Sequence, residues 1–176
     1  QMLDFRNNLI KHEGIKNTPY PDASGKIVDG KPVMTAGVGV SSHNTKHYLE
    51  PQDGMGGKLT DQQISFAFKG ASDDAAVAGR RTQAALGLGD NAFPLLAELA
   101  YQSGTGFAKK DYYKDFVSAL NSRVGTASLQ SVDKDPRTID QRKAAAITAF
   151  KSTPAWEQSD PKRRNDYLSM INKALE

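Results

Sequence analysis

The longest helix signal in this chain spans residues 60–86, and it constrains the fold more than any other feature. Thr60 and Gln63 have the spacing of a capping box, in which each side chain bonds the backbone N–H of the other residue at a helix start. The segment that follows is rich in alanine, and Gly70 and Gly79 within it suit close packing against neighbouring elements. We therefore expect one long helix that connects two parts of different character.

The part before this helix, residues 1–59, is expected to form a small lobe with one helix and a β-hairpin. Apolar residues at three- and four-residue spacing predict an opening helix that ends near Glu13, because Gly14 follows as a natural stop. Further on come two valine-containing runs, KIVDGKPVM and TAGVGV. The first contains Asp29-Gly30, and Asp-Gly flanked by β-branched residues is typical of a hairpin.

The part after the long helix has helical spacing of its apolar residues almost throughout. Helices are predicted at 91–102, 112–124, 138–150 and 160–175. The last of these opens with Asp160-Pro161, a capping residue followed by an early proline. The polar stretch 129–137 is predicted to be a loop. We therefore expect the C-terminal half to be wholly helical.

These patterns together predict an α+β fold that is mostly α-helical, in a single domain of residues 1–176. Its expected parts are the N-terminal lobe (1–59), the connecting helix (60–86) and the helical lobe (87–176), with a cleft between the lobes. With 176 residues, of which 38% are hydrophobic, the chain is large enough to bury a core.

Composition excludes several classes of function. The chain has no cysteine, so disulfides, thiolate metal sites and cysteine nucleophiles are all excluded. We expect neither a secretory signal at its start nor a transmembrane segment, since no run of 18 apolar residues occurs. The net charge of +3 favours an acidic polymer but is well below that of a nucleic-acid binder, so neither nucleic acid nor membrane is an expected partner.

Two patterns that resemble cofactor or metal sites are better explained structurally. His12, His43 and His47 match no ligand spacing, and we interpret them as surface or core histidines. Gly37 and Gly39 lack the lysine and the following helix of a phosphate-binding loop, and we interpret them as part of a tight strand. We therefore expect no metal and no cofactor.

Glu13 occupies a position where the helix pattern calls for an apolar residue, because it continues the stripe of Phe5 and Leu9 at the next four-residue step. Burial and the negative end of the helix dipole both favour the protonated form of a carboxyl group there. A general acid needs that form. Taken alone, Glu13 is better explained by a structural ion pair at the helix end.

Asp22 is the second candidate carboxylate. The two prolines shortly before it stiffen the chain and can present its side chain across a cleft. Two carboxylates in different environments suit glycoside cleavage, in which one protonates the leaving oxygen while the other attacks the sugar or activates a water. The structural alternative is an ordinary turn residue that bonds its own backbone.

Glu13, Asp22 after eight intervening residues, and the run Thr35-Ala-Gly-Val-Gly resemble the Glu, Asp, Thr triad of phage-type lysozymes, glycoside hydrolase family 24. The resemblance implies a lysozyme-like fold that hydrolyses the β-1,4 bond between N-acetylmuramic acid and N-acetylglucosamine. It implies that Glu13 is the acid, and that Asp22 and Thr35 hold the attacking water on the opposite face, so that the configuration inverts. The implied partner is bacterial peptidoglycan, and the implied protein is a monomeric phage product of the host cytoplasm or the virion.

The resemblance extends less specifically to later segments. Ala100-Tyr-Gln-Ser-Gly104 resembles the family's turn beside the cleft, and Trp156 to Arg164 resembles its C-terminal motif. By this likeness Arg163 approaches Glu13, whereas Trp156 and Lys162 are interpreted as structural. The substrate-binding residues implied are Tyr20, Gln102, Gly104, Gln158 and Arg163.

Two alternatives stay open. A lytic transglycosylase uses one acidic residue and leaves an anhydro sugar end, and Asp22 and Thr35 argue against it. A wall-binding or virion structural module without turnover is favoured only by the hairpin, because twelve residues separate Asp22 from Thr35 where the family has a shorter connection. The sequence leaves open whether the chain is a free endolysin or a domain of a larger virion protein.

Overall fold

The computed structural model describes residues 1–124, 133–134 and 137–176. It confirms an α+β fold that is mostly helical, with a small antiparallel sheet near the N-terminus. The chain divides into two compact units, Gln1–Asp74 and Ala75–Glu176. The boundary falls inside the longest helix, so each unit is described by itself.

The first unit contains one complete helix, five short strands and the first part of the long helix. The elements are α1 (Met2–Glu13), β1 (Lys16–Pro21), β2 (Ile27–Val28), β3 (Lys31–Pro32), β4 (Met34–Gly37), β5 (Val40–Ser41) and the start of α2 (Asp61–Ala85). α1 buries Phe5 and Leu9, as the stripe predicted. It ends at Glu13 because Gly14 takes a φ of 66°, which leaves the right-handed helical region.

The three-stranded sheet has the order β1-β4-β5, and both pairs are antiparallel. The run that begins at Thr35 is a hairpin, so the prediction of one tight strand is wrong. β4 turns into β5 at Val38-Gly39, and the two glycines of the run adopt φ of 62° and 68°. These backbone angles reverse the chain at little steric cost only for glycine.

A second hairpin, β2–β3, lies between β1 and β4 in the chain. Ile27 pairs with Pro32 and Val28 with Lys31. The connecting residues Asp29 and Gly30 both have positive φ, 51° and 74°, as a type I′ turn requires. The hairpin predicted from Asp-Gly is therefore confirmed.

α2 begins with the predicted capping box. The N–H of Thr60 donates to Oε1 of Gln63 at 3.0 Å, and the N–H of Gln63 donates to Oγ1 of Thr60 at 3.1 Å. Gly70 is required within the helix because a methyl group there would overlap the imidazole of His47. The helix ends within about a residue of its predicted bounds, which is the usual uncertainty of helix ends.

The second unit contains the end of α2, five further helices, three 3₁₀ turns and a pair of short strands among the described residues. The 3₁₀ turns are Asp90–Ala92, Phe107–Lys109 and Asp111–Tyr113. The other elements are α3 (Phe93–Ser103), α4 (Lys114–Leu120), β6 (Arg123–Val124), β7 (Asp133–Lys134), α5 (Ile139–Phe150), α6 (Pro154–Glu157) and α7 (Pro161–Ala174).

This unit corrects two sequence predictions and adds one helix that was not predicted. It is not wholly helical, because β6 and β7 pair as antiparallel strands. The helix predicted at 112–124 extends only from Lys114 to Leu120, since Asn121 takes an extended conformation and ends it. The short helix α6 was not predicted. The loop predicted at 129–137 lies mostly outside the described residues.

Aromatic side chains form the core of the second unit. The ring of Phe150 contacts Phe116, Trp156 and Tyr167 at centroid distances of 5.0, 6.3 and 4.9 Å. Tyr113 lies 6.3 Å from Phe116 and is fully buried. Such offset and edge-on pairs stabilise a core beyond the area that they bury.

Candidate functional site

The carboxylate of Glu13 lies directly over the backbone of the β4–β5 turn. A Cβ atom built on Gly39 would lie 2.7 Å from Oε2 of Glu13 and 3.0 Å from its Cδ. Any side chain at position 39 would therefore displace the carboxylate. Gly39 is thus required both by its positive φ and by the approach of Glu13.

Tyr20 lies close to both candidate carboxylates. The pKa of its hydroxyl is raised, first by partial burial and then by the negative charges of Glu13 and Asp22. Since charge interactions of this kind fall off with distance, both carboxylates are near enough to Tyr20 to disfavour its ionised form. The residue as a whole is 37% exposed.

Thr35 occupies the central strand of the sheet. It lies directly opposite Tyr20 on β1 and opposite Ser41 on β5. Directly paired residues of neighbouring strands project to the same face, so these three polar side chains form one row across the sheet. Only 8% of Thr35 is exposed, and packing therefore restricts its hydroxyl to few orientations.

Asp22 follows β1 immediately and belongs to the turn that leads into the β2–β3 hairpin. Its N–H donates to the carbonyl of Val33 at 2.8 Å, and its Oδ1 accepts from the N–H of Ser24 at 3.2 Å. This is the bond to its own turn that the structural alternative predicted. An ionised carboxylate accepts about four hydrogen bonds, so this contact leaves acceptor positions for a water molecule.

The structure therefore brings Glu13, Tyr20, Asp22 and Thr35 together within the first unit. The arrangement can donate a proton from one carboxyl group and hold a water molecule with the other and a hydroxyl. Gly39 was missed as a functional position, although its place in the Thr-x-Gly-x-Gly run was visible in the sequence.

The other predicted substrate-binding residues lie in the second unit. Gln102 is exposed on the last turn of α3, and Gly104 ends that helix with a φ of 92°. Gln158 is exposed at the end of α6. Arg163 lies in the first turn of α7, whose N-cap is Asp160.

Arg163 forms an ion pair with a buried glutamate that the sequence analysis did not single out. Its Nη2 lies 3.3 Å from Oε1 of Glu98, which is only 1% exposed. Burial and the charge of Glu98 raise the pKa of the nearby Tyr167 hydroxyl, whereas the charge of Arg163 and its hydrogen bond lower it. The signal for Glu98 was a glutamate inside the apolar run of α3, FPLLAELA.

Two structural interpretations agree with the observed contacts. Nε2 of His47 lies 2.6 Å from Oδ2 of Asp74, which accounts for that histidine within the fold. Trp156 packs on Phe150 and lies under the guanidinium of Arg164 at 5.0 Å from its ring centroid. Over the described ranges, no group of three or more histidines and carboxylates is placed to hold a metal ion.

Comparisons of the chain with protein-family models, curated proteins and solved structures give no significant match. None of the helices in the described residues is both long and apolar enough to span a bilayer. The function is therefore argued from the residues of the site and their geometry.

Proposed function

We propose that this chain is a muramidase, a glycoside hydrolase that cleaves the β-1,4 bond between N-acetylmuramic acid and N-acetylglucosamine in bacterial peptidoglycan. We further propose that it serves a phage in degrading the host cell wall. The observation that carries the proposal is the contact between Glu13 and Gly39. It joins the two separated parts of the lysozyme-like motif, the glutamate at the helix end and the glycine-rich turn.

Glu13 acts as the general acid in this proposal. Its carboxyl group donates a proton to the glycosidic oxygen as the bond to the leaving sugar breaks. The Gly39 backbone beneath it leaves room for the carboxylate, because position 39 has no side chain.

Asp22 and Thr35 hold the attacking water. The carboxylate of Asp22 accepts a proton from the water, whereas the hydroxyl of Thr35 only orients it, since a threonine hydroxyl is no base at neutral pH. Attack from the face opposite the leaving group inverts the configuration at the sugar carbon. Tyr20 lies opposite Thr35 and near both carboxylates, and it offers its ring as a surface for a sugar. The reaction uses no cofactor.

The first experiment measures the loss of turbidity of purified Gram-negative peptidoglycan with the parent chain and with Glu13→Gln. The matched control is Glu50→Gln, which removes an exposed glutamate of the same unit. We expect the parent and the control to clear the suspension alike, and Glu13→Gln to be slower by about 10²- to 10⁴-fold. Equal clearance by a folded Glu13→Gln variant would refute the assignment of the acid.

A lytic transglycosylase is the second candidate, and the bond between Asp22 and Ser24 favours it. If Asp22 only stabilises this turn, Glu13 is the single catalytic acid at the site, as in a transglycosylase. The released muropeptides distinguish the two reactions. Hydrolysis leaves a muramic acid with a free reducing end, which borohydride converts to the alditol. Transglycosylation leaves a 1,6-anhydro end, which does not react with borohydride.

A third outcome concerns binding without turnover. If the folded parent chain sediments with purified walls but does not clear them, the chain is a wall-binding module. Thermal unfolding of the same sample establishes that the chain is folded.

A further inference from the structure

The β2–β3 hairpin presents apolar and basic side chains to solvent beside the candidate site. Ile27 and Val28 are 69% and 42% exposed, which is unusual for β-branched residues. Lys26 and Lys31 are also exposed, and within the described part of the chain neither has an ion-pair partner. The sheet β1-β4-β5 is complete without this hairpin, so its own stability does not explain these side chains.

The two faces of the hairpin differ. Val28 and Lys31 are directly paired and therefore project to one face, while Ile27 and Pro32 project to the other. Lys26 precedes β2, but its carbonyl accepts from the N–H of Val33, which continues the pairing by one residue. If the side chains also continue to alternate, Lys26 projects to the face of Val28. One face thus carries a lysine on each side of an apolar residue.

The hairpin is anchored in the candidate site itself. Val33, which closes it, accepts from the N–H of Asp22 and is buried. The hairpin leaves the sheet after Asp22 and returns immediately before β4, which carries Thr35. The type I′ turn at its tip restricts the backbone further. A group bound on the lysine face therefore lies next to the residues that hold the water.

We propose that the lysine face of this hairpin, formed by Lys26, Val28 and Lys31, binds the peptide stems of peptidoglycan. This inference rests on the proposed muramidase function and names the part of the substrate that this surface recognises. The stem is attached to N-acetylmuramic acid, the sugar at the scissile bond, so it must lie beside the catalytic groups when that bond is cleaved. It carries free carboxylates along with small apolar side chains. Two unpaired lysines around a valine complement both kinds of group.

The test compares two substrates, intact peptidoglycan strands and strands whose peptides have been removed by an amidase. The test variant is Lys26→Glu/Lys31→Glu. The matched control is Lys109→Glu/Lys114→Glu, which makes the same change in net charge at exposed lysines of the second unit. Circular dichroism and thermal unfolding establish that each variant is folded. The specificity constant is measured for each substrate at low and at high salt.

We expect the test variant to cut peptide-bearing strands about three- to tenfold more slowly than the parent, and to be slowed less on stripped strands, where only the lactyl carboxylate that the amidase exposes remains on each muramic acid. The difference should shrink at high salt because exposed charges are screened there. The control should match the parent on both substrates. A second variant, Val28→Ser, should reduce only the rate on peptide-bearing strands.

Any other result would contradict the inference, and each would do so for a different reason. Equal slowing on both substrates would mean that the lysines contact the sugar chain, and an unchanged rate on both would mean that they contact no part of the substrate. In either case the muramidase function would stand. If the parent chain cuts neither substrate, the proposed function fails, and this inference fails with it.

Discussion

Gly39 and Glu13 are so close that a methyl group at position 39 would lie 2.7 Å from Oε2 of Glu13. Gly39→Ala should therefore displace the Glu13 carboxylate, the proposed general acid, in addition to straining a backbone that has a φ of 68°. We expect a loss of about 1–2 kcal/mol in the free energy of unfolding from the strain, together with a large loss of wall-clearing activity.

Gly25→Ala is the matched control for this change. Gly25 has nearly the same φ, 64°, but no atom lies within 4 Å of the place its Cβ would take. The control should show a similar loss of stability, measured by urea unfolding, and should keep its activity. Equal loss of activity in both variants would mean that strain in the fold, and not the displaced carboxylate, reduces turnover.

The interaction between Asp74 and His47 predicts a stability that depends on pH. The hydrogen bond from His47 holds the pKa of Asp74 below its usual value of 3.8, with a further contribution from Lys46. A carboxyl group with a lowered folded-state pKa stabilises the fold above its unfolded-state pKa, and this contribution is lost as the pH falls through the folded-state value. Asp74→Asn should thus destabilise the chain at pH 6 but not in strong acid.

The expected size of this effect is small. More than a third of the Asp74 side chain is exposed, so screening by solvent limits the contribution to about 0.5–1 kcal/mol. Urea unfolding of the parent and of Asp74→Asn across the acid range measures it. Asp53→Asn, at an exposed carboxylate of the same unit, should leave the curve of stability against pH nearly unchanged. A constant difference at all pH values would contradict an electrostatic origin.

The ion pair of Glu98 and Arg163 predicts that removing the arginine alone destabilises the fold more than removing both partners. Arg163→Met leaves a buried carboxylate without this cation, and removal of one partner of a buried pair costs about 3–5 kcal/mol. Adding Glu98→Leu to that variant should recover a large part of the loss, because the double variant has no buried charge at either position. Thermal unfolding of the two single variants and the double variant measures the coupling. Additive losses would show that the two residues do not act as a pair.

Gly79 offers a test of packing within the second unit. Alanine in the middle of a helix is usually more stable than glycine by about 1 kcal/mol. Here a Cβ would lie 2.8 Å from backbone atoms of Ala97, and backbone atoms cannot move aside cheaply. Gly79→Ala should therefore lower the melting temperature, with a cost of about 1–3 kcal/mol from overpacking. A higher melting temperature would mean that α3 shifts freely away from α2.

The helices were predictable because their signals are local. The capping box at Thr60, the stop at Gly14 and the cap at Asp160 each depend on residues within one helical turn, and all three appear in the structure. The strands β6 and β7 were not predictable, since each has only two residues and is defined by its pairing with the other. The alternation of apolar and polar residues that marks a strand cannot be recognised in a run of two residues.

The candidate site was predictable only in part. The spacing of Glu13, Asp22 and Thr35 suggested that they act together, but no sequence pattern could indicate that Tyr20 lies opposite Thr35 across two strands. The irregular pairing between Lys16 and Tyr20 shifts the register of β1, and counting alternate residues from the strand start does not anticipate such a shift. The glutamate inside the apolar run of α3 was visible in the sequence, but its ion pair was not, because the partner Arg163 lies far away in the chain.

The boundary between the two units falls in the middle of α2, between Asp74 and Ala75. A fragment cut there would leave each half with a truncated helix, and isolated helices of about 12 residues are marginal in water. Because α2 is one continuous helix, melting of either unit would leave the other unit's part of α2 with a new free end. The rates at which the amide hydrogens of α2 exchange with solvent, followed turn by turn, would show whether this protein opens as one cooperative body or as two.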